Sequence, residues 1–356
     1  MKKFFFFFLI LYSCSKTESV VKEEIIPEDY GKLSDNGVVI TTMDSSLKKF
    51  NLNFFNENSY KSKVIIFQPE RNIIVEEKTN NNFHSIELNQ YDELTVFQLL
   101  NPSELLNKKI VKITIPKRLP YKIGIYGGYI EDEEKHIRFA KNLGDELPVC
   151  VINTGNLIKN SKNMSQWTKF VNNSQDFMVN AIFIPAFSEK DLKNKDFVYS
   201  YFSFNTGIRI YNYNALKIIT IDDANLKKNS EDLKKIENEL STSSDWKIVV
   251  LNINPFLDFD MQKIKDINEN LIPILEKNKV VLLTGGKKGY ERYIKNNITY
   301  VALSFNENKV DREDKNFLVK SIETDSFVIL EVTRRRLLFK VYSIDKQLLD
   351  EFQVIE

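Results

Sequence analysis

From Ile123 onward the sequence sets down six short apolar runs: Ile123–Tyr126, Val149–Ile152, Ala181–Ile184, Ile218–Ile221, Ile248–Leu251 and Val280–Leu283. They alternate with amphipathic helical segments, the pattern of an α/β domain. Helices are expected over Glu131–Leu143, Ser165–Met178, Ser230–Leu240 and Asp260–Leu271. In the third, Leu233, Ile236, Glu237 and Leu240 fall on one stripe and Ser230 is placed to cap the start. Toward the C-terminus the pattern returns to strands at Ile298–Leu303, Phe327–Val332 and Leu337–Tyr342, with the charged stretch Thr333–Arg336 as a hairpin turn. Residues 119–356 therefore read as one α/β domain.

Residues 36–118 follow a different rule. Val38–Ile40, Lys63–Phe67, Ile73–Val75, Ser85–Leu88, Leu94–Leu99 and Ile110–Ile115 are short, partly alternating runs separated by polar, Asn-rich turns. That spacing predicts a small all-β sandwich. Two folded units are also what the length asks for, because 356 residues exceed what a single core usually organises. The formal net charge is +1. No basic field points to nucleic acid.

The N-terminus begins Met1, Lys2, Lys3, then an unbroken apolar run from Phe4 to Leu11. About 20 apolar residues are needed to cross a bilayer as a helix, so this run is too short for a membrane span and fits a signal peptide over residues 1–13. Leu11-Tyr12-Ser13-Cys14 resembles the bacterial lipobox, which implies acylation of the Cys14 thiol and a lipid anchor in the cell envelope, most simply the outer membrane. Residues 14–35, polar and without apolar periodicity, are expected to be a flexible linker. The remaining cysteine, Cys150, lies within Val149–Ile152 and is expected to be a buried small hydrophobe.

Seven segments at the ends of these elements, taken in order, carry a family resemblance. They are Ile123–Gly128; Asn153-Thr154-Gly155-Asn156-Leu157; Pro185-Ala186-Phe187-Ser188-Glu189; Tyr201–Phe204 followed by Leu216–Asp222 as a strand pair; Asp245–Asn252 closing with Pro255-Phe256; Thr284–Arg292; and Phe327–Phe352. In this order they resemble the purple acid phosphatase branch of the calcineurin-like metallophosphoesterases. The resemblance implies an α/β (α+β) fold: a four-layer metallophosphoesterase β-sandwich flanked by helices, preceded by a fibronectin type III-like β-domain.

It also implies a binuclear metal centre, and there the sequence departs from the family. Two ions roughly 3.5 to 4 Å apart need carboxylates, imidazoles and amide oxygens that donate lone pairs. The positions matching the family's ligands are Gly128, Asn156, Phe187, Ser188, Asn252, Gly286 and Lys288. None is a carboxylate or an imidazole. Lys288 would oppose a metal, since a unit charge pair at 4 Å is worth about 4 kcal/mol at an effective dielectric near 20 and a divalent ion roughly doubles that. The sequence has two histidines, His84 and His136, both expected to be surface or packing residues. Other carboxylates near the motif ends are Asp132, Glu133, Asp145, Glu189, Asp191, Asp222 and Asp223, most of them expected on solvated faces. No metal and no cofactor is expected.

Three functions remain in play. The first is a non-catalytic envelope lipoprotein that binds a partner protein or a glycan. The second is a phosphate ester hydrolase with a remodelled site, in which Tyr290, Arg292, Lys287, Lys288, Ser188 and Glu189 surround the pocket and Ser188 with a lysine forms a nucleophile and base pair. The third is metal-free anion binding by Lys287 and Lys288 on a glycine-bounded turn.

Overall fold

The alternating N-terminal pattern becomes seven strands in the computed structural model. The structure describes residues 37–356 apart from 69–71, 79, 91, 101–108, 223–225, 243–245, 257–260, 287–288 and 306–315. Residues 1–36, where a signal peptide, lipidation at Cys14 and a linker are expected, thus lie outside the described residues, as do Asp223, Lys287 and Lys288. The strands are β1 (Val39–Thr41), β2 (Lys49–Tyr60), β3 (Lys63–Phe67), β4 (Ile73–Glu76), β5 (Asn81–Asn89), β6 (Leu94–Leu100) and β7 (Lys109–Thr114). They form two sheets, ordered β1-β2-β5 and β4-β3-β6-β7. Phe50, Leu52 and Phe54 from the first sheet and Val64, Ile66, Phe97 and Leu99 from the second are buried together. The sequence runs omitted β2, because its inward Phe and Leu residues alternate with Asn51 and Asn53.

The α/β region opens with β8 (Tyr121–Tyr126), α1 (Glu133–Gly144), β9 (Cys150–Asn153), α2 (Met164–Asn173), α3 (Gln175–Met178) and β10 (Ile182–Pro185). It continues with α4 (Lys195–Tyr201), β11 (Ile208–Tyr213), β12 (Leu216–Ile221), α5 (Glu231–Ser241), β13 (Trp246–Leu251), α6 (Met261–Asp266) and α7 (Ile272–Lys277). It closes with β14 (Val281–Gly285), β15 (Gly289–Lys295), β16 (Ile298–Ser304), β17 (Leu318–Ile322), β18 (Ser326–Val332), β19 (Arg336–Ser343) and β20 (Leu348–Ile355).

These strands make two further sheets, ordered β10-β9-β8-β18-β19-β20 and β11-β12-β13-β14-β16-β15-β17. Strands β8, β9 and β10 run parallel, as do β12, β13, β14 and β16. The inner faces meet: Ile123, Ile125 and Ile152 of one sheet share a core with Ile218, Val250 and Leu283 of the other. The outer faces are covered by helices. Phe139, Trp167 and Phe177 of α1, α2 and α3 pack on Val151 and Phe183. Leu233, Ile236 and Leu240 of α5, with Leu275 of α7, pack on Ile219, Val249 and Leu282. The result is four layers, helix–sheet–sheet–helix, as the family resemblance implied. Among the described residues no helix is long and apolar enough to cross a membrane.

Helix starts follow their capping residues. Asp132 accepts from Lys135 N at 2.8 Å, Asn163 from Ser165 N at 3.0 Å, and Ser230 from Leu233 N at 3.2 Å. The expected helix Ser165–Met178 breaks at Ser174, which ends α2 and precedes α3. The segment Tyr201–Phe204, read as a strand, is not one. Tyr201 closes α4 and Ser203 takes a φ of 56°. Its apolar residues serve an aromatic cluster instead, and the partner of β12 is β11.

The N-terminal strands are fixed to this body by polar contacts. Gly37 N donates to Asn172 Oδ1 at 2.6 Å, Val38 N to Gln175 Oε1 at 3.1 Å, and Thr41 Oγ1 to Phe202 O at 2.8 Å.

Candidate functional site

Parallel strands deliver their following loops to one edge of a sheet, where ligands of open α/β folds gather. Here the loops after β10, β12, β13 and β14, with the turn after β9, enclose a cleft of about 760 Å³. Asn156, Phe187, Ser188, Asn252 and Gly286 all line it. These are five of the seven positions matched to the family's ligands, brought from four separate loops to one place. Gly128 is not part of the lining. It sits one hydrogen bond behind it, with φ at 80° and its N–H on Gly155 O at 2.9 Å. Lys288 lies outside the described residues.

Each of these residues is engaged with the protein itself. The Asn252 carboxamide lies between two glycines: a Cβ on Gly155 would sit 2.5 Å from Asn252 Nδ2, and one on Gly285 would sit 2.7 Å from it. Asn252 Nδ2 donates to Thr154 O at 2.7 Å, so it ties the loop after β13 to the loop after β9. Gly155 could hardly be anything else, since its φ is 96°. Phe187 is buried against Phe202 and Phe204, at ring separations of 5.3 and 6.0 Å. Ser188 Oγ donates to Asp191 Oδ2 at 2.8 Å and is no free hydroxyl.

Two buried carboxylates cross-link the loops. Asp191 accepts from Asn156 N at 2.8 Å, Leu157 N at 3.0 Å and Ser188 N at 2.8 Å as well as from Ser188 Oγ, which joins the turns after β9 and β10. Burial pushes its carboxyl up to about 6, against the pull of those donors. Asp222, at the end of β12, faces Arg209 of β11: Arg209 Nη2 donates to Oδ1 at 3.0 Å and Nη1 to Oδ2. Arg209 Nη2 also donates to Pro185 O at 2.6 Å, and Asp222 Oδ1 accepts from Phe187 N at 2.8 Å. The guanidinium lies 4.3 Å from the Phe204 ring centre. Both carboxylates are fully buried. The expectation of a solvated face is therefore corrected for Asp191, and Asp222, which follows its strand as the family resemblance implied, is likewise turned inward: loop N–H groups and a guanidinium must be satisfied in a dry wall.

The other carboxylates are elsewhere. Asp132 caps α1, Glu133 stands in its first turn, and Asp145 pairs with Lys346 at 3.5 Å. Glu189 is exposed and pairs with Lys263 at 3.2 Å. Tyr290 and Arg292, expected beside the pocket, are not in its lining. Tyr290 OH donates to Asp350 Oδ2 at 2.8 Å, Arg292 Nε reaches the same oxygen at 3.1 Å, and the guanidinium lies 4.5 Å from the Phe352 ring centre. They join β15 to β20. Register decides this, because alternate side chains of a strand face opposite ways.

Neither histidine is near the cleft loops. His84 stacks on Phe54 at 4.5 Å in the β-sandwich and contacts Glu77. His136 is buried on α1, 2.9 Å from Ser174 Oγ, and burial lowers it to about 4. Among the described residues no three His, Cys, Asp or Glu side chains are grouped to hold a metal ion. A binuclear centre does not fit the donor set of the cleft: the matched positions offer a glycine, a phenylalanine, a serine bonded to Asp191 and two asparagines, with no imidazole, and of the carboxylates Asp222 is turned to Arg209 and Glu189 to Lys263.

Sequence reasoning missed the cations of the cleft. Lys190, Lys193, Lys195 and Lys263 line it. The spacing of three lysines within six residues after Ser188 was visible, but that stretch folds into a short turn and α4, and only the turn brings them to one rim.

The fold is that of a calcineurin-like metallophosphoesterase. The chain is similar in structure to PhoD, with a TM-score of 0.66 at 11% identity over 91% of this chain and 93% of that one. It is also similar to GAP50, the anchor in the inner membrane complex of Plasmodium, with a TM-score of 0.54 at 12% identity over 67% of this chain and 89% of that one. At such identities the likeness carries the fold and no activity. No family model matches the sequence, and no curated protein matches it.

Proposed function

We propose that the chain is a non-catalytic lipoprotein of the bacterial cell envelope, anchored through Cys14, whose metallophosphoesterase-like cleft acts as a binding or scaffold subunit for a partner protein or a glycan. The observation that carries this reading is Asn252, whose carboxamide is held between Gly155 and Gly285 and donates to Thr154 O. A residue matched to a metal ligand thereby serves as a cross-link between loops. Asp191 does the same between the turns after β9 and β10, so the cleft keeps its shape through hydrogen bonds. The purple acid phosphatase branch is the origin we favour, on the order of the sequence segments. The anchor rests on the apolar run from Phe4 to Leu11 followed by Cys14.

Metal analysis of the purified protein, with phosphatase assays across Mn, Fe and Zn, tests the reading. Sub-stoichiometric metal and no turnover are expected. Activity that rises with a stoichiometric metal would sink it in favour of a phosphate ester hydrolase with a remodelled site. Loss of membrane association in Cys14→Ser tests the anchor separately.

A further inference from the structure

Among the described residues the cleft lining carries four lysines against three carboxylates, Glu189, Asp222 and Asp266. The lysines are Lys190, Lys193, Lys195 and Lys263. Of these carboxylates, Asp222 is matched by Arg209 behind the wall and Glu189 by Lys263, while Asp266 accepts from Gln262 Nε2 at 3.0 Å, so the excess of positive charge rests on Lys190 and Lys193 of the turn and on Lys195. Lys190 and Lys193 are exposed on the turn after Ser188.

The floor beneath this rim is aliphatic. Leu192, Leu226 and Ile253 are half-buried and line the cleft, over buried Ile221 and Leu251. An inorganic oxyanion would satisfy the rim and leave the floor wet. A glycan would want an open aromatic face, but the Phe187 ring is buried and occupied by Phe202 and Phe204. The occupant that satisfies both layers carries carboxylates and aliphatic side chains together. A volume of about 760 Å³ suits a short segment with only a few side chains inserted.

We infer that this cleft docks an acidic, aliphatic-rich peptide segment of a partner protein, with Lys190 and Lys193 meeting its carboxylates and Leu192, Leu226 and Ile253 its apolar side chains. This rests on the non-catalytic reading of the same cleft. Exposed lysines steer and select more than they hold, so the affinity falls as salt rises, while the aliphatic floor sets the part that salt does not remove.

The test uses the full chain in mild detergent and a fluorescein-labelled peptide of alternating Glu and Leu, followed by polarisation at low and at physiological salt. Saturable binding is expected, weakened at least about tenfold in the Lys190→Glu/Lys193→Glu variant. A peptide of alternating Glu and Ser, equal in charge, should bind at least about tenfold more weakly than the Glu–Leu peptide. A benzophenone on the Glu–Leu peptide should cross-link to residues 189–195 or 263–267. Equal binding of the two peptides, unchanged binding by the variant, or cross-links elsewhere overturns the inference, and dextran sulfate binding more tightly than the peptide overturns it in favour of an anionic glycan. Both lysines are exposed, and an unchanged circular dichroism spectrum confirms that the variant is folded. Turnover in the phosphatase assay would defeat the non-catalytic reading itself, whereas absent peptide binding in an inert protein defeats only the docking inference.

Discussion

Replacing Arg209 with methionine should be among the most damaging single changes in this protein. The guanidinium is 1% exposed and its partner Asp222 is 0% exposed. It holds both oxygens of Asp222 and also Pro185 O and Thr206 O, so one side chain closes β11, β12 and the loop after β10 into one wall. Methionine keeps much of the volume and removes the charge, leaving the buried Asp222 carboxylate without its counter-charge though still bonded to the Phe187 N–H. Breaking a buried pair from one side costs roughly 3–5 kcal/mol. The double variant Arg209→Met/Asp222→Leu leaves no charge of this pair buried; it adds the orphaned Phe187 N–H, worth about 1–3 kcal/mol, to the Pro185 O and Thr206 O that Arg209→Met already orphans. The double change should therefore cost less than the two single changes added together, with a coupling energy of about 1–3 kcal/mol. Urea denaturation followed by tryptophan fluorescence reads this, because Trp167 contacts Phe202, which contacts Phe187. If Arg209→Met costs under ~1 kcal/mol, or the double cost equals the sum of the singles, the pair does not hold this wall.

Other outcomes follow from the same structure. His136 is lowered from 6.5 to about 4 by burial, so it is neutral in the fold and takes up a proton more readily when unfolded. Its contribution is complete above pH 6.5 and is lost as pH falls through 4, about 3 kcal/mol in all; His136→Gln should flatten the difference in urea midpoint between pH 7 and pH 4.5, and parallel curves for the two proteins would refute the assignment. Asp191 titrates the opposite way, its raised carboxyl favouring the fold below pH 3.8 and losing that advantage as pH rises through about 6, but it is common to both proteins in that comparison. Gly155→Ala should cost at least ~2 kcal/mol in thermal or urea unfolding, since the φ of 96° strains alanine and its Cβ would meet Ala186 O at 2.6 Å. Asp191→Ala should cost roughly 3–5 kcal/mol by orphaning three loop N–H groups and a hydroxyl, and a protein melting like the wild type would show those groups reach water instead.

Much of the fold was legible because strand periodicity and helical stripes are local. Every apolar run from Ile123 to Leu283 overlaps a strand, and Ser230 caps α5 as its position suggested. What escaped had one local and one tertiary cause. β2 hides its pattern behind asparagines, and Tyr201–Phe204 is apolar for an aromatic cluster that no local pattern reveals.

The site divides differently. Sequence order alone assigned Asn156, Phe187, Ser188, Asn252 and Gly286 to related loop ends, because parallel strands place their following loops on one edge whatever the side chains do. Only the tertiary structure decided where those side chains point: Asn252 onto Thr154 O, Ser188 onto Asp191, Asp222 onto Arg209, Tyr290 and Arg292 away toward Asp350. The physical reason is that a buried polar group takes whichever partner lies within reach, and reach is set by packing between segments far apart in the chain.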